Sequence, residues 1–250
     1  MTRILTYNIH QCRGTDGRLD VGRVAAVIAA QEPDIVALQE VDVGRARTGG
    51  VDQAHAIAER LDMAFHFNAA LRVEEERYGD AILTALPERL IKAGPLPGHP
   101  RMPRLEPRGA LWIAVTIDGV EVQVLNTHLG LVPREQQIQA SALMGSAWLC
   151  GPSRQAPLIV VGDMNAGPWS ATLRTLMRDM NDARTGRSRT ATFPAGLPML
   201  QIDHVLVSPD ITVTGIHTPN DPLARRASDH LPLVVDFTIG PSSSYVSNPS

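Results

Sequence analysis

The chain has 250 residues, of which 44% are hydrophobic and 20% charged, and its formal net charge at pH 7 is −3. This length suits one large domain or two small ones, and the composition excludes coiled-coil, collagen-like and wholly disordered proteins. A slightly acidic chain is also not a general nucleic-acid coat protein, although it is compatible with a local basic groove.

Cysteine content and hydropathy bear on the cellular compartment. Cys12 and Cys150 are the only cysteines and form no CxxC pair, so no disulfide framework is predicted and a reducing compartment fits best. Residues 1–8 are too polar for a signal peptide, and no apolar run approaches the roughly 18 residues that a membrane helix needs. We therefore expect a cytoplasmic protein without a transmembrane segment.

Hydrophobic periodicity predicts alternating strands and helices in the first quarter of the chain. Apolar and polar residues alternate over residues 3–10, which is typical of a half-buried strand. Helical spacing predicts a helix over 20–31, which Pro33 ends. A short buried strand at 34–39 and a second amphipathic helix at 52–61 follow.

The clearest local pattern is a hairpin, in which Asp118-Gly119 separates apolar runs at 110–117 and 120–127. Asp-Gly favours a tight turn because both central residues need positive φ. The same patterns predict a helix from Pro133 to about Leu149, a strand at 157–161, a helix at 170–178, and strands at 202–207, 211–216 and 231–239.

This order predicts a mixed two-sheet sandwich flanked by helices rather than a doubly wound parallel sheet. No linker divides the chain, so a single domain is expected over 1–240, followed by a flexible tail at 241–250. The longest segment without predicted structure is the Pro- and Arg-rich loop 94–108. It leads into the hairpin and is expected to form one wall of a cleft.

Polar residues that can bind a metal stand at the ends of successive predicted strands. Turn capping or packing would explain each of them singly. Together they would place carboxylates, amides and imidazoles in one cleft, where neighbouring carboxylates repel unless a cation lies between them. Oxygen ligands of this kind suit Mg²⁺ or Mn²⁺. The residues are Asn8, Glu40, His128, Asp163, Asn165, Asp203, Asp229 and His230.

The ordered motifs of the chain resemble those of the endonuclease/exonuclease/phosphatase superfamily, which includes DNase I, exonuclease III-type enzymes and neutral sphingomyelinases. The resemblance extends over residues 3–238 and implies an α+β, DNase I-like fold with four layers in the order α/β/β/α. The motifs are TYNIH, LQE, GDAILT, RGAL, NTHL, GDMN, IDHVLVS and SDHLPL.

The resemblance also implies a metal site. Glu40 resembles the principal metal ligand of the superfamily, and Asp229 resembles its second carboxylate near the metal. Asn8 matches the strand-end asparagine that supports both the metal and the phosphate. The implied cofactor is Mg²⁺ or Mn²⁺.

The catalytic roles come from the same resemblance. His230 resembles the general base, with Asp203 as the carboxylate that orients it. Asp163 and Asn165 resemble the GDxN pair, with Asp163 near the nucleophile or metal and Asn165 donating to a phosphate oxygen. His128 resembles the histidine near the leaving group. An imidazole whose tautomer is held by an aspartate can take a proton from water, so the chemistry agrees with these roles.

Other polar residues near the motifs receive weaker assignments. Arg108 and Arg134 are candidate contacts for the substrate phosphate. Asp80 stands where many relatives carry asparagine, so it is expected to bind an arginine or a metal-bound water instead of donating to phosphate. His10 and His204 are expected to pack structurally.

These features predict a metal-dependent phosphodiesterase that hydrolyses its substrate by in-line attack of water. With 4% aromatic residues and one lysine, the chain has little to stack bases or track phosphates, which favours a lipid-headgroup or small phosphodiester. The alternatives are a DNA or RNA nuclease of the exonuclease III or deadenylase type and an inactive binding module on the same fold. Protein partners are not predicted.

Overall fold

A computed structural model of the chain describes residues 1–151, 157–186 and 190–240. Twelve strands and five α-helices lie in this part of the chain. The strands are β1 Thr2–Asn8, β2 Ile35–Val43, β3 Ala64–Val73, β4 Glu76–Thr84, β5 Glu88–Pro95, β6 Gly109–Ile117, β7 Val120–His128, β8 Leu158–Asp163, β9 Asn181–Asp182, β10 Asp203–Val207, β11 Ile211–His217 and β12 Leu233–Ile239. The helices are α1 Val21–Ala29, α2 Gln53–Leu61, α3 Pro133–Leu143, α4 Ala171–Leu176 and α5 Pro222–Ala227.

The strands form two six-stranded sheets. The first has the order β11-β12-β1-β2-β4-β3 and the second β5-β6-β7-β8-β10-β9. Each sheet is mixed, because β1–β2 and β7–β8 are parallel pairs among antiparallel neighbours. The predicted sandwich of two mixed sheets is therefore confirmed.

Alternation along the strands separates three apolar layers. Ile4 faces the other sheet, whereas its neighbour Leu5 packs against α1, α2 and α5 on the outside of the first sheet. In the second sheet Val124 faces inward and Leu125 packs outward with α3 and α4. Successive side chains of a strand point to opposite faces, so this arrangement gives the four layers α/β/β/α.

The hairpin at Asp118-Gly119 is confirmed, with φ of 50° and 81° at the two turn residues. One helix boundary is corrected, because α3 ends at Leu143 and not near Leu149. Gly145, a weak helix former, lies two residues beyond this end. The turn that follows is closed by a hydrogen bond from the Leu149 amide to the Leu143 carbonyl.

Five strands and α-helices have no counterpart in the sequence prediction, namely β3, β4, β5, β9 and α5. β3 and β5 are the edge strands of the two sheets, and most of their side chains are half-buried or exposed. An edge strand of this kind lacks the clean alternation by which strands are recognised. α5 has six residues, too few for helical periodicity to show.

In the described ranges, no helix is long and apolar enough to cross a membrane. The predicted tail at 241–250 lies outside the described residues. The single domain over 1–240 also stays a prediction.

Candidate active site

The polar strand ends meet at one end of both sheets. Asn8 ends β1 and His128 ends β7, while Asp163 ends β8 directly beside His128 in the parallel register. β10 runs antiparallel to β8 and begins with Asp203 opposite Asp163. The shared edge follows from the strand directions, and there His128 and Asp163 line a cavity of about 550 Å³. Asn8 and Asp203 are buried and contact the lining residues Asp163 and His230.

A β-bulge directs Glu40 into this cavity. The register between β2 and β4 shifts between Leu38 and Val41, and Glu40 takes a positive φ of 58°. A bulge bends the strand and turns a side chain away from the regular alternation. Glu40 consequently lines the cavity while its apolar neighbours in β2 stay buried in the sheets.

Close approach of two strands explains the glycine before Asp163. Gly162 has φ of 137°, and a Cβ at this position would lie 1.9 Å from the carbonyl oxygen of Thr127. Only glycine permits this contact between β7 and β8. The Gly-Asp pair thereby brings Asp163 beside His128.

Asp203 and His230 form a buried hydrogen-bonded pair. The His230 Nδ1 lies 2.9 Å from the Asp203 Oδ2, which also accepts a hydrogen bond from the Thr192 hydroxyl. The Phe193 ring packs on the imidazole with 4.8 Å between ring centroids. The second nitrogen, Nε2, lies 3.7 Å from the Asp163 Oδ2, so it faces the cavity.

Asn8 connects two carboxylates. Its Nδ2 donates to the Glu40 Oε1 at 3.0 Å and to the Asp163 Oδ2 at 3.1 Å, and its Oδ1 accepts from the His10 amide at 3.1 Å. The side-chain amide of Gln11 donates from Nε2 to the other oxygen of Glu40, Oε2. These donors hold the two carboxylates in place from the side of β1.

His128 lies between Arg108 and Asn165. The Arg108 Nη1 is 3.0 Å from the His128 Nδ1, and because arginine only donates, this nitrogen must be the acceptor. The proton of neutral His128 is therefore on Nε2, which lies 3.5 Å from the acceptor Asp163 Oδ2. The Asn165 Nδ2 lies 3.0 Å from Nε2, but it is also a donor, and its hydrogen-bond acceptor is the Leu129 carbonyl at 3.0 Å. Burial and the Arg108 charge hold the pKa of His128 well below its usual value, so the ring is neutral.

The crowding of acids changes several pKa values. Burial, together with the charge of Asp203, raises the pKa of Asp163 to about 7. Burial also raises the pKa of Glu40, and the charge of Asp229 adds to this effect. For His230, burial alone would lower the pKa, but the charges of Asp203, Asp163 and Asp229 and the Asp203 hydrogen bond raise it to about 10.

This surplus of negative charge fits a hard divalent cation. Ligand atoms of Asp163, Asp203 and His230 lie within 4.8 Å of one another, and Glu40 and Asp229 offer further oxygens at the same cavity. A bound cation offsets the repulsion among such carboxylates and lowers the pKa of neighbouring groups. Oxygen-rich donor sets of this kind suit Mg²⁺ or Mn²⁺.

The three residues with weaker assignments, Arg108, Asp80 and Arg134, lie in different surroundings. Arg108 is buried, lines the cavity and forms an ion pair with Glu106 at 2.8 Å. Asp80 is buried in β4, and burial raises its pKa well above the usual value against the opposing charge of Arg108. Arg134 is exposed at the start of α3 and does not line the cavity.

The structure adds residues that sequence patterns did not reveal. Thr192 and Phe193 contact the Asp203–His230 pair, yet they belong to no motif, so no sequence signal distinguishes them. Gln11 lies three residues after the motif asparagine and contacts Glu40. His10, expected to pack structurally, instead lines the cavity, and its Nδ1 lies 3.7 Å from the Asp229 Oδ1.

Comparison with known proteins gives the family of the chain. Residues 5–230 match the profile described as the Endonuclease/Exonuclease/phosphatase family. The chain belongs to this family. Its members are generally phosphoester hydrolases, phosphatases and nucleases among them. No curated protein matches the chain at a significant level.

Solved structures share the fold. An endonuclease/exonuclease/phosphatase from Beutenbergia cavernae is 25% identical, with a TM-score of 0.73 over 96% of this chain and 72% of that chain. A mannosyl-6-phosphatase from Bacteroides thetaiotaomicron is 18% identical, with a TM-score of 0.76 over 96% of this chain and 100% of that chain. The human Nocturnin catalytic domain, with bound sulfate, is 19% identical, with a TM-score of 0.71 over 95% and 93% of the two chains. The DNase I-like fold is thereby confirmed.

Proposed function

We propose that the chain is a divalent-metal-dependent phosphodiesterase that hydrolyses a lipid-headgroup or other small phosphodiester by in-line attack of water. The observation that carries this proposal is the Asp203–His230 pair, with Nδ1 held by the carboxylate and Nε2 facing a cavity lined by acids and amides. An imidazole held in this way accepts a proton from water at its free nitrogen.

The neighbouring donors have matching roles. His230 takes the proton of the attacking water at Nε2, and Asp203 stabilises the imidazolium that forms. Asn165 and the Nε2–H of His128 donate to phosphate oxygens that gain charge in the transition state. Arg108 holds His128 at Nδ1, and its own buried Nε has no partner among the described residues.

Glu40, Asp229 and Asn8 are the residues that would hold Mg²⁺ or Mn²⁺. The Asn8 side chain connects Glu40 to the neighbouring Asp163. When bound, the cation offsets the negative charge that raises the pKa of His230 and polarises the phosphoryl oxygens. Asp163 is assigned to orient the nucleophilic water, since its Oδ2 lies 3.7 Å from the His230 Nε2.

Apolar side chains favour a small or lipid diester. One side of the cavity carries the acids and amides, and four further lining residues are apolar, namely Leu131, Phe193, Leu200 and Ile202. Phe193 and Tyr78 are the only Phe, Tyr or Trp residues of this lining. Phe193 packs on His230 and Tyr78 is buried, which leaves little for base stacking. A cytoplasmic location stays a prediction from cysteine content.

Metal removal tests the reaction. Chelated protein should lose hydrolysis of bis(p-nitrophenyl) phosphate, and Mg²⁺ or Mn²⁺ should restore it. Glu40→Gln should abolish the restored activity, whereas Glu121→Gln, at the surface ion pair with Arg89, should leave it within about twofold. Full activity in EDTA after thorough metal removal would contradict the proposal.

A substrate panel tests the specificity. It compares kcat/KM for phosphatidylglycerol, sphingomyelin, bis(p-nitrophenyl) phosphate, abasic and single-stranded DNA, poly(A) and mannose 6-phosphate in the same metal and salt. We expect the diesters with small or lipid leaving groups to be preferred. A preference for nucleic acid of more than about tenfold, or ~1.4 kcal/mol in transition-state binding, would establish the nuclease alternative instead.

A further inference from the structure

Large exposed apolar side chains are concentrated around the mouth of the catalytic cavity. Among the described residues, seven of them expose half or more of their surface. Two lie elsewhere, Met1 at the chain end and Val73 at the β3–β4 turn. The other five, here called the apolar rim, are Leu131, Trp169, Leu197, Met199 and Leu200, with exposures between 50% and 74%.

The rim is continuous with the catalytic cavity. Leu131 and Leu200 line that cavity. Trp169 lines an adjoining cavity together with Gln201, which lies in the chain between Leu200 and the cavity-lining Ile202. Two rim residues follow functional segments closely in the sequence: Leu131 comes shortly after His128, and Trp169 comes shortly after Asn165. Two rim residues therefore line the cavity that contains His230, and the other three lie close to Leu200 in the chain or at the adjoining cavity.

Backbone hydrogen bonds hold three of the rim residues on a short hairpin over residues 193–200. The Leu200 amide donates to the Phe193 carbonyl at 2.8 Å, and the Thr192 amide donates to the Leu200 carbonyl at 2.9 Å. The Leu231 amide in turn donates to the Thr192 carbonyl at 2.8 Å. The hairpin is thus tied to the segment that carries His230, and its apolar tip is presented by ordered backbone.

Positive charge accompanies the apolar surface. Arg101 and Arg104 are exposed on the loop that leads to Arg108, and Arg134 is exposed three residues after Leu131. Exposed apolar side chains and exposed arginines together suit a phospholipid surface, where the apolar groups enter the acyl boundary and the arginines contact lipid phosphates. Nucleic acid would call for aromatic stacking platforms, and the rim contains one aromatic residue.

We propose that the apolar rim docks the cleft onto an anionic phospholipid bilayer, so that a diester headgroup enters the cavity while the acyl chains stay in the membrane. This inference rests on the proposed phosphodiesterase function for its substrate class. An interfacial enzyme must place its apolar contacts around the mouth of the catalytic cleft, and the rim is placed in this way.

Vesicle binding tests the proposal without relying on turnover. Vesicles of phosphatidylcholine with and without phosphatidylglycerol are sedimented with the chain in EDTA. The variant Leu197→Ser/Met199→Ser should bind the anionic vesicles at least tenfold more weakly than wild type, and Arg101→Ser/Arg104→Ser should remove the preference for phosphatidylglycerol. The control is Val120→Ser, because Val120 is 37% exposed at the end of β7 opposite to His128 and should bind like wild type.

Activity provides the second readout. With Mg²⁺ or Mn²⁺, Leu197→Ser/Met199→Ser should lose at least tenfold in hydrolysis of vesicle phosphatidylglycerol and stay within twofold on bis(p-nitrophenyl) phosphate. Wild-type vesicle binding by this variant, or a loss on single-stranded DNA instead of vesicles, would overturn the docking proposal. Absence of hydrolysis on every phosphoester would overturn the proposed function, and the sedimentation result would still decide whether the rim binds membranes.

Discussion

β10 begins with an aspartate followed by a histidine, and each of the two belongs to a different Asp–His pair. Asp203 pairs with His230 at 2.9 Å, and the next residue, His204, pairs with Asp182 at 2.8 Å. Successive residues of a strand point to opposite faces, so one pair faces the cavity between the sheet ends and the other is buried behind it.

The two pairs differ at the second imidazole nitrogen. The His230 Nε2 faces the cavity near Asp163, whereas the His204 Nε2 lies 2.9 Å from the Ala166 carbonyl oxygen. His204 is fully buried, and Arg184 packs beside it with its Nη1 3.3 Å from Nδ1. An Asp–His pair is therefore suited to catalysis only where one nitrogen stays open to substrate, and the buried pair fastens the segment after Asn165 to β10.

The largest expected difference comes from removing each histidine. His230→Ala should lower kcat on bis(p-nitrophenyl) phosphate roughly 10²–10⁴-fold, the usual contribution of a general base. His204→Ala should leave kcat of the folded protein within about threefold but destabilise it by about 3 kcal/mol, since a buried charged partner is left behind. Steady-state kinetics and thermal unfolding measure the two effects. The assignment fails if His204→Ala loses as much turnover as His230→Ala.

Substitution of the two aspartates should likewise affect turnover at one pair and stability at the other. Asp203→Asn keeps the shape but no longer holds the proton on the His230 Nδ1, so kcat should fall about 10²-fold. Asp182→Asn should lower the melting temperature and leave kcat within about twofold. Circular dichroism confirms that both variants are folded. Asp203→Asn with the wild-type rate would mean that the pair does not orient the base.

The arginine beside His128 allows a finer test of substrate binding. Arg108→Lys removes the guanidinium that holds the His128 Nδ1 and should lower kcat/KM about tenfold, or ~1.4 kcal/mol. Arg89→Lys, at an exposed ion pair with Glu121, is the matched control and should change nothing. An unchanged kcat/KM in Arg108→Lys would remove Arg108 from the substrate-binding residues.

The smallest expected effect is a pH dependence of stability at the buried pair. Burial alone would raise the pKa of Asp182, but the hydrogen bond with His204 and the charges of His204 and Arg184 lower it below its usual value. A lowered carboxylate pKa stabilises the fold above the unfolded-state value of about 4, and this stabilisation is lost as pH falls through the folded-state pKa. The melting-temperature difference between wild type and Asp182→Asn should therefore shrink on acidification. A constant difference between pH 6 and pH 3 would contradict this linkage.

Local patterns predicted much of the fold because most strands are apolar runs that are buried on both faces of the sheet and bounded by turn residues. The hairpin around Asp118-Gly119 and the helix opened by Pro133 were recognisable from turn chemistry and proline preference alone. The edge strands β3 and β5 were not, because their half-exposed side chains follow no periodic pattern.

The sequence by itself determined the family, the order of the strands that carry polar ends and the residue types at those ends, because all of these are written in motifs and local periodicity. Only the tertiary structure decided which of them meet. Asn8 forms a hydrogen bond with Asp163, which lies 155 residues away in the sequence, and His230 forms one with Asp203, which lies 27 residues away. Strand register and the packing of two sheets set these distances, and they also decided that Asp203 pairs with the cavity-lining His230 while His204 pairs with Asp182.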